Sequence, residues 1–278
     1  MKLQAHAKIN WALNITGRRD DGYHLLDMVM QSIALCDDLT LTRAEGLTLA
    51  VNGVPLADDR NLVLRAALAL RERTGCRDGA ALALTKRIPE QAGLGGGSAD
   101  CAAALAGLNA LWGLGLAPAE LAEIGLGLGA DVPFCLAGGL ARVRGIGETI
   151  DPSDAAPNLP LVLARPEGMG LSTGEVFGLW DRGGFPEVTL DGPALVDAVS
   201  RGDLAAADRL CVNALTSPAV SLLPAIGEAI DALRGLGAAA AFMTGSGSTA
   251  VGVFEDPPRA AEAARAIPGA ILTHTLPL

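Results

Sequence analysis

The chain is short of lysine. Of its 21 cationic residues only Lys2, Lys8 and Lys86 are lysine, and none of them follows a glycine. A Walker A loop ends in Gly-Lys-Ser/Thr to carry an ammonium to the phosphates, so that nucleotide-binding motif is excluded. Against those cations stand 31 acidic residues, a formal net charge of −10. This excludes a nucleic-acid scaffold with a basic face and leaves small anions, held by local positive groups, as partners. The five cysteines (Cys36, Cys76, Cys101, Cys135, Cys211) are scattered and never spaced as Cys-x-x-Cys. Neither a zinc site nor a disulfide framework follows from them, and they read as small core residues in a reducing cytoplasm. No apolar run approaches a membrane span, and Gln4, His6, Lys8 and Asn10 make the start of the chain too polar for a signal peptide, so a cytoplasmic protein with no membrane partner is expected.

What the chain does have is glycine, concentrated in one place. Pro89-Glu90-Gln91-Ala92-Gly93-Leu94-Gly95-Gly96-Gly97-Ser98-Ala99 puts four glycines into five positions. Glycine inside a regular element loses the most backbone entropy and packs nothing, so a special loop is expected. A buried strand over Ala80 to Leu84 precedes it, and an alanine-rich helix to Trp112, opened by Ser98, follows. Strand, glycine loop and helix N-terminus together make a phosphate cradle, in which bare N–H groups and the helix dipole converge on an anion. A dinucleotide fingerprint is a near miss, because Ser98 stands where its third glycine belongs.

Alternation from Leu3 to Ile15 predicts a strand with Lys8 and Asn10 on one face, two residues apart. That face reads either as solvated or as the wall of a pocket. The charged turn Arg18 to Gly22 leads to Tyr23 and His24, a platform for a flat ring. Further strands are expected at Asp38 to Arg43, Leu47 to Asn52 and Leu140 to Ile150. Helices are expected at Asn61 to Arg73, ending at Gly75, and from Pro118 to Leu128. Asp131, between apolar segments, reads either as a helix cap or as a carboxylate kept ionised by a cation. The loop-like stretch Asp151 to Pro160 suggests a boundary between domains 1–155 and 156–278. Helices over 173–180, 193–200, 204–215 and 222–236 and strands at 161–164, 239–243, 250–254 and 270–275 make the second half α+β. Thr244-Gly245-Ser246-Gly247-Ser248 reads either as a hairpin connection or as a second loop closing on the ligand of the first.

Three blocks, Ala7-Lys8-Ile9-Asn10, Pro89 to Ser98 and Gly245-Ser-Gly-Ser248, resemble in order and spacing the GHMP kinase superfamily. Arg19-Asp-Asp-Gly-Tyr-His24, Gly129-Ala-Asp-Val-Pro-Phe134 and Arg144-Gly-Ile-Gly-Glu148 narrow the resemblance to members acting on a cytidine diphosphate-linked methylerythritol in the non-mevalonate isoprenoid route. The weakest stretch is 178–236, and Gln91 and Ala99 depart from the glycine and serine common in relatives. The resemblance implies an α+β chain of two domains. The N-terminal ATP-binding α/β domain has a left-open mixed sheet, the C-terminal domain is ferredoxin-like, and the active site lies in the cleft between them. It implies ATP-dependent phosphorylation of the 2-hydroxyl, ATP held by residues 89–99, Asp131 as general base and Lys8 as its cationic neighbour. Asn10, Tyr23, His24, Phe177, Gly245 and Ser246 face the substrate, Phe177 as the second side of a cytosine sandwich. Mg²⁺ is implied with ATP, with Ser98 as its ligand, and a monomer or weak homodimer as the assembly. Homoserine- and mevalonate-type kinases share both glycine loops but not the Asp-Gly-Tyr-His block. A dinucleotide oxidoreductase is the reading from another class.

Overall fold

A computed structural model describes residues 1–56, 60–166 and 170–277. The chain divides into two compact units through which it passes more than once. The first is Met1–Ala7, Leu35–Pro89 and Gly95–Ala137; the second is Lys8–Ala34, Glu90–Leu94 and Gly138–Leu278. Strands β1 (Lys2–Arg18) and β2 (His24–Ala44) contribute to both.

In the first unit, β3 (Leu47–Val51) pairs antiparallel with β4 (Val54–Leu56) and parallel with β5 (Gly79–Thr85), which in turn pairs antiparallel with Asp38 to Ala44 of β2. The sheet is therefore mixed. Between β4 and β5 the chain forms α1 (Leu62–Thr74). Asn61 caps it by accepting from the Val63 N–H, and Gly75 stops it in the left-handed conformation at φ 72°, as the residues at its two ends predict. Helices α2 (Gly96–Trp112), α3 (Pro118–Leu128) and α4 (Val132–Ala137) follow. Leu39, Leu41, Leu82 and Leu84 of the sheet pack with Val63, Leu70, Leu105 and Leu108 in one core. Each such buried aliphatic side chain contributes roughly 1.5–3 kcal/mol of transfer free energy. The alanines of α2 allow the close approach. A Cβ on Gly107 would stand 2.5 Å from Leu3 Cδ1 and 2.6 Å from Leu41 Cδ1.

In the second unit, β6 (Leu140–Gly145) pairs with Leu26 to Gln31 of β2 and with β7 (Thr149–Pro152). The single strand expected over 140–150 is therefore a hairpin, turned at Gly145 (φ 75°) and Gly147 (φ 110°). Strand β8 (Pro160–Ala164) is followed by α5 (Thr173–Asp181), α6 (Gly192–Ser200), α7 (Leu204–Leu210), α8 (Thr216–Leu222) and α9 (Ala225–Gly235). Then come β9 (Ala240–Met243), β10 (Ala250–Val253), α10 (Pro257–Ala266) and β11 (Ile271–His274). The sheet order β11-β8-β10-β9, antiparallel throughout, is the ferredoxin-like arrangement. Val162, Ala164, Ala241 and Ala250 form one face of it under Leu233 of α9 and Ala260 and Ala263 of α10.

None of the described cysteines forms a disulfide, and burial pushes the Cys101 thiol up to about 12, in keeping with a core role.

One buried charge cluster ties the first unit's sheet to α2. Asp37 is fully buried and accepts from the backbone N–H groups of Arg87 and Ile88 and from the ammonium of Lys86, which also donates to Asp100 Oδ2 at 2.7 Å. Burial pushes the Asp100 carboxyl up to about 7 against the pull of Lys86. Despite its own burial, Lys86 is held above the usual lysine range by Asp100 and Asp37. The folded chain thus keeps a proton on Asp100 where the unfolded chain has lost it. The stability this proton brings is complete below about pH 4 and is lost as pH rises towards about 7. Urea unfolding at pH 5 and pH 7 should show wild-type losing on the order of 1–3 kcal/mol more across that interval than Asp100→Asn. An identical pH dependence in the two proteins would mean that Asp100 is ionised throughout.

Candidate active site

In the first unit the glycine segment becomes the start of a helix. Gly95, left-handed at φ 69°, is the N-cap of α2, and Gly96, Gly97 and Ser98 form its first turn. Ser98 therefore does not open the helix, and two of the four glycines lie inside it. Packing is the reason: a Cβ on Gly96 would stand 2.9 Å from Ile88 Cγ2 and 3.4 Å from the Lys86 ammonium. The first intrahelical bond runs from the Ala99 N–H to the Gly95 carbonyl at 2.9 Å. The N–H groups of Gly96, Gly97 and Ser98 precede it and have no partner within the helix, which is the condition for anion binding. The Ser98 hydroxyl lies next to Gly129, 3.5 Å from where its Cβ would be. Two residues on, half-buried Asp131 precedes α4, and its backbone carbonyl accepts from the Cys135 N–H at 3.0 Å. Asp131 thus holds the helix-cap position, with its carboxylate in the same unit as the phosphate turn.

The second unit holds Lys8, Asn10 and the first part of the glycine segment. Strand β1 is buried on both faces from Ala7 to Leu13, so the polar face carrying Lys8 and Asn10 is interior rather than solvated. A buried ammonium needs partners. Lys8 Nζ donates to Asn10 Oδ1 at 2.7 Å and to the Gly93 carbonyl at 3.0 Å, and the Lys8 N–H donates to the Leu94 carbonyl at 3.0 Å.

Thr244 joins the second glycine turn to both. Its hydroxyl accepts from the Asn10 N–H at 2.9 Å and lies 3.5 Å from the Gly93 carbonyl. A Cβ on Gly93 would stand 2.3 Å from the Thr244 carbonyl oxygen, and one on Gly245 would stand 2.9 Å from the Gly93 carbonyl. The turn after Met243 does connect the β9–β10 hairpin, and it also packs on the first glycine segment. The hairpin reading holds, and the packing on Gly93 is an added role. Ser246 is anchored by its hydroxyl, 2.9 Å from that of Thr173.

Asn213 supports this turn from behind. Its Nδ2 donates to the carbonyls of Met243 and Gly245, at 3.0 and 2.9 Å, while the Leu13 N–H donates to the Val212 carbonyl. One helix is expected over 204–215, but the chain breaks after α7, and the break delivers Asn213 to the site. An asparagine amid an alanine-leucine run was the only sign in the sequence.

His24 lies apart from the Lys8 group in this unit's contacts. Its ring stacks on Phe177 at 4.6 Å between centroids and 29° between planes, and meets Trp180 edge-on at 5.9 Å. Its Nε2 is 2.7 Å from Asp181 Oδ1. The spacing of His24 and Phe177 is that of a single stack, so a third ring has no room between these two. Tyr23 projects outward, 62% exposed. Asp181 and Asn213 escape sequence reasoning because each acts through partners well outside any local window, His24 lying 157 residues before Asp181 and the Met243 and Gly245 carbonyls 30 and 32 residues beyond Asn213.

Comparison with known proteins accounts for this combination. The GHMP kinases N terminal domain matches residues 61–139 and the GHMP kinases C terminal domain matches 195–271. The 4-diphosphocytidyl-2-C-methyl-D-erythritol kinase of Pelotomaculum thermopropionicum is 46% identical over 91% of this chain and 88% of its own. The chain belongs to the GHMP kinases, in the 4-diphosphocytidyl-2-C-methyl-D-erythritol kinase family. A second member, from Moorella thermoacetica, is 42% identical over 99% of both chains. A crystal structure of 4-(cytidine 5'-diphospho)-2C-methyl-D-erythritol kinase superposes on this GHMP kinase with a TM-score of 0.82 at 35% identity, covering 99% of each chain. A homoserine kinase from Cytophaga hutchinsonii, 17% identical with a TM-score of 0.71, shares the fold.

Gly93 should tolerate no side chain. Its φ of +74° and the Thr244 carbonyl 2.3 Å from the added Cβ both oppose one. Gly93→Ala is expected to lower stability by about 2 kcal/mol or more and to disrupt the Lys8 and Thr244 contacts together. Thermal melting with and without ATP checks this, and an unchanged melting temperature would refute it.

Proposed function

We propose that this chain transfers the γ-phosphoryl group of ATP to the 2-hydroxyl of 4-diphosphocytidyl-2-C-methyl-D-erythritol, a step towards isoprenoid precursors. The observation that carries the reading is the 42% identity with the Moorella thermoacetica kinase over 99% of both chains. The homoserine kinase likeness is one of fold and supports no second substrate.

In this reading the N–H groups of Gly96, Gly97 and Ser98 take phosphate oxygens of ATP, and residues 89–95 lead into them. Asp131 takes the proton of the tertiary hydroxyl as its oxygen attacks phosphorus, and Lys8 offsets the charge that grows on the transferred group. Lys8 suits this role because its ammonium is already desolvated and held by Asn10 and Gly93, so little reorganisation is needed during the reaction. Asn10, Tyr23, His24, Phe177, Gly245 and Ser246 serve the substrate. Among the described residues no group of three or more His, Cys, Asp or Glu is placed to hold a metal ion. That donor set fits Mg²⁺ brought in by the nucleotide, with the Ser98 hydroxyl as a protein ligand, since Mg²⁺ is commonly held by substrate phosphates and water. It would neutralise charge on the phosphates. The boundary proposed near residue 155 falls between the two family matches.

Coupled measurement of ADP release with the cytidine diphosphate-linked alcohol tests the activity, and two variants test the roles. Asp131→Asn should lower kcat about 10²- to 10⁴-fold with ATP affinity nearly intact, because it removes a base without adding bulk. Turnover at the wild-type rate would sink the assignment. Lys8→Met should lower kcat by a larger factor than it raises KM; an unchanged kcat would make Lys8 purely structural.

A further inference from the structure

The ring of His24 is held on three sides. Phe177 covers one face, the edge of Trp180 abuts it, and Nε2 meets Asp181 Oδ1 at 2.7 Å. The other carboxylate oxygen of Asp181 is 3.4 Å from Arg18 Nη1, which leaves Oδ1 for the imidazole. The imidazole is only 13% exposed and the carboxylate 25%, so both partners are largely shielded from water. An ionised carboxylate accepts and cannot donate, so the proton between the two groups belongs to Nε2. In a neutral imidazole the remaining nitrogen, Nδ1, is then an acceptor, and no hydrogen bond among the described residues uses it.

We propose that Asp181 is a positioning residue for base specificity: it fixes His24 as the Nε2–H tautomer, so that Nδ1 accepts a hydrogen bond from the exocyclic amine of a cytosine base. This rests on the substrate proposed above and adds to it how the base is told apart from its nearest analogue. Cytosine presents an amine donor where uracil presents a carbonyl acceptor. A fixed acceptor rewards the first and opposes the second with a lone pair. The close His24–Phe177 stack directs recognition to the edge of the imidazole, since no base fits between the two rings. The contacts come from the end of β1, the first residue of β2 and the last two turns of α5, so the α5 carboxylate acts on the base through His24.

Two measurements decide the proposal. Long-range nitrogen NMR of protein labelled at its three histidines (His6, His24, His274) reads the tautomer of His24 directly; a neutral ring protonated on Nε2 is expected in the wild type. A wild-type ring protonated on Nδ1, or on both nitrogens, overturns the proposal even if no variant folds. The second measurement is the ratio of kcat/KM for the cytidine diphosphate-linked alcohol to that for its uridine counterpart. Asp181→Ala should lower this ratio at least about tenfold, chiefly through KM. Asp181→Asn, whose amide oxygen still accepts from Nε2–H, should restore most of it. An unchanged ratio in Asp181→Ala that melts within a few degrees of wild type overturns the role of Asp181 while leaving the proposed function standing. A wild-type enzyme that phosphorylates neither nucleotide-linked alcohol overturns the proposed function, and this inference with it.

Discussion

Gly93 has room for a hydrogen and nothing larger, and much of the second unit depends on that. Its carbonyl receives the Lys8 ammonium, and its α-carbon sits against the backbone of Thr244. Lys8 in turn organises Asn10, whose backbone N–H is bound by the Thr244 hydroxyl. Four residues from β1, the glycine segment and the β9–β10 turn are thus locked by contacts that a single methyl group would break. An ammonium in so dry a place would cost several kcal/mol without these partners, so the charge and the close approach require each other.

The same economy appears at the phosphate turn. Walker-type loops carry their cation at the end of the loop, whereas here the turn that opens α2 has none of its own. Lys86 lies just beneath it but is spoken for by Asp37 and Asp100. Its role is to hold β2, the exit of β5 and α2 together, which fixes where the three bare N–H groups of the turn stand. Asp37 strengthens that arrangement by accepting from two consecutive backbone N–H groups as the chain leaves β5.

Much of the fold was legible where local chemistry decides it. Asn61 and Gly75 bound α1, Pro118 begins α3, and Asp256 caps α10, all as their residue types predict. Reading failed where tertiary packing overrides local preference. Strand β2 runs unbroken from His24 to Ala44, although only its last residues look like a strand, because Asp27, Gln31 and Asp37 lie on buried faces and spoil the alternation. Their burial is balanced by Arg142, Trp11 and Lys86, partners that no window of sequence contains. Ser98 looked like a cap, but crowding by Ile88 moves the helix start back to glycine. At the site, the glycine segments and the Lys8–Asn10 pairing were visible from spacing and type. Asp181 and Asn213 were not, since each matters only through what the fold brings beside it.

The scarcity of lysine has a practical consequence. Lys2 is largely exposed, its side chain 65% accessible, while Lys86 is 16% accessible and Lys8 is 4% exposed. Apart from the terminal amine, an amine-reactive reagent therefore finds one easy target, and the other two amines belong to the clusters around the glycine segment. Slow acylation of Lys8 or Lys86, followed by mass spectrometry, would register how often each cluster opens. The protein thus carries two native reporters of breathing around its glycine segment, against a nearly silent background.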